Sequence, residues 1–114
     1  MPIWLSLLAC AAHPDQAPEP CLQMCAEAQS LYGACLEDWG LGWEDAGYSD
    51  GQDFQASCEV WTWELLVLEE EEISAGDPSA AHRTESMCSE RLADLSADEA
   101  TCSAYTEQQW GGLL

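Results

Sequence analysis

Apolar and small residues recur along residues 21–39 at spacings of four, three, four, three and four, through Cys21, Cys25, Ala28, Tyr32, Cys35 and Trp39. That alternation is one face of an α-helix. Pro20 suits the first turn, where its missing N–H is not needed, and Gly40 and Gly42 close the pattern. Phe54, Cys58, Trp61, Leu65 and Leu68 repeat the same spacing and predict a second helix over about residues 53–73. Trp63, Leu66 and Val67 widen its stripe, so this helix is expected to be largely enclosed by its neighbours. The run at residues 60–68 would also suit a buried strand, but the helical register extends on both sides of it.

Met87, Cys88, Leu92 and Leu95 predict a short third helix capped by Thr84 or Ser86. Ser96 followed by Glu99 is a capping-box pattern that opens a fourth, with Cys102 and Tyr105 on one face. Residues 40–52 read as a Gly-rich acidic loop and residues 74–83 as a linker of small residues. The acidic block at residues 69–72 opposes the helix macrodipole, and a frayed, solvated helix end is expected there. The fold class is therefore all-α: a small disulfide-stapled bundle of about four helices, arranged as two helical hairpins.

Composition changes this picture in two ways. The chain has 114 residues and seven cysteines, and a domain of that size gains much from covalent staples. It also carries 22 Asp and Glu against two Arg and no Lys, a formal net charge of -20. Such a field repels phosphate backbones and anionic headgroups, so nucleic acid is excluded as a partner and electrostatic membrane binding is disfavoured. Cationic partners and divalent cations remain compatible with it.

The start of the chain supplies a different route to a membrane. Residues 3–9 are a short apolar run that ends at Cys10, too short to span a bilayer. The sequence Leu7-Leu8-Ala9-Cys10 resembles the lipobox of bacterial lipoproteins. The resemblance implies cleavage before Cys10, acylation of its thiol and of its new amino group, and, with Ala11 following, sorting to the outer membrane. The basic residues that precede such a run in that family are missing from residues 1–9, so the signal peptide is expected to be truncated. Residues 10–20 then form the lipidated cysteine and a Pro-rich tether, residues 21–106 the helical cysteine-rich domain, and residues 107–114 a C-terminal tail. Removing Cys10 leaves six cysteines, an even number.

Their pairing follows from helix geometry. Residues equidistant from the middle of a hairpin loop face each other, which joins Cys35 to Cys58 across residues 40–52. Cys21 and Cys25 stand one turn apart on one helix, with Cβ atoms about 5 to 6 Å apart, too far for a bridge to each other. Each is therefore expected to bond one of Cys88 and Cys102, with the order open.

No motif requests a cofactor, and the chain is not expected to be an enzyme. The cysteine spacing lacks the second half of a zinc site, C-x-x-C is absent, and neither His13 nor His82 stands on a periodic element beside a nucleophile. An EF-hand reading of residues 45–53 fails, because Gly51 at the sixth loop position puts Ala46 and Ser57 where acidic ligands belong. Asp45, Asp50 and Asp53 remain as a weak calcium candidate, and Trp39 and Trp43 as a candidate exposed patch. The functional expectation is a lipid-anchored envelope protein that acts as a binding or structural module, with its membrane reached through the lipid and a protein as its possible partner. Without the lipid the same domain would be a secreted cysteine-rich effector or inhibitor.

Overall fold

The computed structural model describes residues 15–96 and Cys102. Three α-helices account for most of them: α1 (Glu19–Asp38), α2 (Gly51–Ser74) and α3 (Arg83–Ser96), with 3-10 turns at Trp43–Ala46 and Pro78–Ala80. The described residues contain no strand, and the fold is all-helical with three disulfides. Among the described residues three of the expected four or so helices are present; the fourth, from Ser96, lies outside them apart from Cys102, which is helical.

Each helix end has a local cause. The carbonyl of Pro18 accepts from the N–H groups of Cys21 and Leu22, and Pro20 sits in the first turn without wasting a donor. At the other end Gly40 takes φ 73°, Leu41 N–H donates to the Leu36 carbonyl and Gly40 N–H to that of Glu37, which is the Schellman closure. Asp50 caps α2 by accepting from Asp53 N–H at 2.8 Å, while the Asp53 carboxylate accepts from Ser49 N–H at 2.9 Å. Gly76, at φ 104°, repeats the Schellman arrangement after Ser74.

The core lies where α2 and α3 both pack on α1; they touch each other much less. Cys21, Met24, Cys25 and Ala28 of α1 are fully buried there, against Phe54 and Cys58 of α2 and Cys88 of α3. An aromatic cluster closes the loop end. Phe54 meets Tyr48 edge-on at 5.1 Å between ring centroids and Tyr32 at 5.5 Å, and Trp43 lies 5.4 Å from both Tyr32 and Phe54. Trp43 reaches this position because Gly33 lacks a side chain: a Cβ there would stand 3.1 Å from the indole. Trp43 is therefore half-buried core, and of the expected patch only Trp39 is exposed, as is Leu41 two residues on.

All three disulfides start on α1, but their pairing differs from expectation. Cys21 bonds Cys88, within the expected choice, whereas Cys25 bonds Cys58 and Cys35 bonds Cys102. The hairpin rule failed because residues 39–50 do not simply bridge the helix tips. They fold back so that Trp43 lies on Gly33 and α2 begins level with Gln29 to Tyr32, and the last turn and a half of α1 overhangs. Cys35 sits on that overhang, beyond the reach of Cys58.

The second helix is also less enclosed than its apolar content predicts. Its buried stripe is Gly51, Phe54, Cys58, Thr62 and Glu69, whereas Trp61 and Leu65 are half-buried and Leu68 is 51% exposed. With α3 spent on α1, one flank of α2 has no covering element among the described residues.

Candidate interaction surface

The sequence-derived site residues fall into three groups. Cys10 and His13 lie outside the described residues. The six remaining cysteines are all disulfide-bonded. At the calcium candidate, Asp45 accepts from Gly42 N–H at 2.7 Å, and Asp50 and Asp53 accept from backbone N–H groups at the start of α2. Asp45 closes one turn and Asp50 with Asp53 another, and no group of three or more His, Cys, Asp or Glu among the described residues is placed to hold a metal ion.

The acidic block at residues 69–72 is not the frayed end its charge predicts. Glu69 is 5% exposed and receives Thr84 N–H at 2.7 Å on Oε1 and His82 N–H at 3.0 Å on Oε2. A carboxylate of one helix thus caps the N-terminus of the next, where the macrodipole favours negative charge. Glu72 accepts both terminal nitrogens of Arg83, at 3.0 and 2.8 Å, which holds its carboxyl below the usual glutamate range, mainly through that hydrogen bonding. His82 turns the chain into α3 at φ 64°, a left-handed conformation rare for a residue with a side chain. Tyr32 and Tyr48 are shifted upward by burial, Tyr48 further by the charges of Tyr32 and Asp53. These contacts hold the turn into α3 and the aromatic cluster at the loop end.

What the fold does present is an apolar cleft on the uncovered flank of α2. The segment at residues 15–17 and Leu22 form one wall, and Ala56, Glu59, Val60 and Trp63 form the other. Its volume is about 330 Å³, near the lower end of sites that hold small molecules or anchor side chains. Val60 is 54% exposed. Ala56, Val60 and Trp63 share this wall because they stand four and three residues apart on α2. Gln52 and Gln55 continue the same flank as a polar shelf beyond Ala56 and Glu59.

The surroundings of the cleft are acidic, with Asp15 and Glu59 in its own walls. Both arginines of the chain are engaged elsewhere, Arg83 with Glu72 and Arg91 with its guanidinium carbon 5.5 Å from the centroid of the Trp61 ring. No helix among the described residues is long and apolar enough to cross a membrane. The sequence pointed to the apolar residues of this flank but assigned them to the interior; their i, i+3, i+4 spacing on the side opposite Thr62 and Glu69 was the signal for a second face. Comparison with protein families, with curated proteins and with solved structures finds no match to this chain.

Proposed function

We propose that this chain is a small binding module of the bacterial cell envelope, held to the outer membrane by a lipid on Cys10 and stapled for an oxidising compartment. The observation that carries this reading is the fate of the cysteines. Three disulfides use six of the seven, so Cys10 is the one thiol with no cysteine left to pair with, and it stands directly after Leu7-Leu8-Ala9. The protein acts by binding rather than by catalysis. In support, Asp45 and Asp50 of the acidic loop are spent on backbone caps, and the exposed His82 is a turn residue.

A second reading is a freely secreted cysteine-rich effector or inhibitor, a setting in which the same three disulfides would also persist. Labelling with radioactive palmitate in a bacterial host separates the two. Label on the wild type that disappears in Cys10→Ser, with the protein moving from the membrane to the soluble fraction, supports the lipid anchor. Absence of label from both leaves the secreted form.

A further inference from the structure

We infer that the cleft beside α2 is a docking site for a basic amphipathic segment of a protein partner, whose apolar face enters the cleft while its cations meet the acidic rim. This names the partner of the binding module proposed above; it rests on the binding half of that reading and not on the lipid.

Three observations converge on this occupant. The floor is apolar and partly open: Ala17 and Leu22 face Val60 and Trp63, and Val60 keeps 54% of its surface in water. Leaving such a strip uncovered costs about 25 cal/mol per Å² of apolar surface, which a partner recovers on docking. The cleft's two charged lining residues are both carboxylates, Asp15 in one wall and Glu59, which also accepts from Gln55 Nε2 at 3.3 Å, in the other.

Charge then selects among possible occupants. At a net charge of -20, a second copy of the chain is repelled, as is an anionic lipid surface or a nucleic acid. With Arg83 held by Glu72 and Arg91 over Trp61, the two arginines are tied within the fold and do not neutralise the cleft. A segment with Lys or Arg flanking an apolar stripe is complementary to both parts at once, which is the helix-in-groove mode of recognition. The groove runs along α2 with apolar positions at Ala56, Val60 and Trp63, about 10 Å, which matches two turns of a docked helix.

The test uses the full chain carrying Cys10→Ser, oxidised and free of detergent, so that loss of the lipid does not affect the readout. A fluorescently labelled peptide repeating Lys-Leu-Ala-Lys-Leu-Ala-Lys is titrated by anisotropy, beside oligolysine and a version with Glu in place of every Lys. The expected result is saturable binding of the first peptide, at least about tenfold tighter than either control. Val60→Ser and Trp63→Ala are each expected to weaken it about tenfold or more, with helicity and disulfides intact, and Glu59→Gln to weaken it and flatten its dependence on salt. Equal binding of oligolysine, or unchanged affinity in Val60→Ser and Trp63→Ala, would leave only diffuse charge attraction and overturn the proposal. Failure of the peptide to bind at all overturns it as well, and palmitate labelling remains an independent readout of the anchor.

Discussion

Replacing Glu69 by alanine is expected to be the most damaging single change to a charged residue of this protein. The carboxylate is buried and satisfies two backbone donors of α3, Thr84 N–H at 2.7 Å and His82 N–H at 3.0 Å. A hydrogen bond to a charged group contributes about 1.5 to 3 kcal/mol, and a buried donor left without a partner costs about 1 to 3 kcal/mol. Thr84 is 3% exposed, so water cannot take over its N–H, whereas His82 is open and its N–H can be rehydrated. The loss is therefore nearer one full penalty than two, about 2 to 4 kcal/mol. For a domain of this size, that corresponds to a fall in Tm of roughly 10 to 25 °C. Glu69→Gln keeps one good acceptor but turns an amide N–H₂ toward one of the donors, and is expected to lose about half as much. Urea denaturation of the oxidised protein measures both, with the exposed Glu70→Ala as control. Amide exchange at Thr84 should accelerate in Glu69→Ala before the rest of α3 opens. A loss for Glu69→Ala within about 0.5 kcal/mol of that for Glu70→Ala would refute the assignment of Glu69 as the cap of α3.

His82→Gly should stabilise the protein by about 0.5 to 1 kcal/mol, because φ 64° is unfavourable for a side-chain-bearing residue and free for glycine; a lower Tm in this variant would argue against the left-handed turn. Replacing both Cys35 and Cys102 by serine should cost about 4 kcal/mol, since that bridge closes a separation of 67 residues; a loss under about 1 kcal/mol would show that the bridge does not restrain the unfolded chain. The Glu72 carboxyl titrates below its unfolded value, so the folded state binds that proton more weakly. Its contribution is therefore present above the ordinary glutamate range and lost as pH falls through the folded value. Acidification also relieves the repulsion of a chain at -20, so the measurable quantity is a difference: the stability gap between wild type and Arg83→Gln should narrow from roughly pH 5 to pH 3, and a gap independent of pH would refute the pairing.

The helical spacings of the sequence carried the fold class and the rough span of all three described helices, because glycine and proline punctuate them and the cysteines keep register. They failed on α2 for a definable reason. Hydrophobicity alone placed Trp61, Leu65 and Leu68 inside, yet the stripe that packs on α1 continues from Cys58 through Thr62 to Glu69. Thr62 enters it by donating its hydroxyl to the Glu59 carbonyl, and Glu69 by capping α3, so two polar residues are satisfied within the core. A pattern read as apolar against polar has no means of recognising a polar residue whose partner lies 13 to 15 positions away. The partners of Cys25 and Cys35, Cys58 and Cys102, were hidden for a related reason: they depend on how far the loop folds back, which Gly33 decides by admitting Trp43. The uncovered flank of α2 was visible as residues and invisible as a surface, since its exposure is set by where α3 goes.

The radiation of all three disulfides from α1 has a consequence for how the protein is made. In chain order the bonded cysteines are 21, 25, 35, 58, 88 and 102, and no native bridge joins two that are consecutive. A chain that crosses a membrane N-terminus first delivers all three thiols of α1 to the oxidising side before any correct partner arrives. An oxidant acting on thiols as they emerge would therefore link the wrong ones, and the native set is reached only after α2 and α3 are present and the early bonds have been exchanged. If the chain is exported as proposed, the spine that holds the finished domain together also makes its formation depend on disulfide exchange.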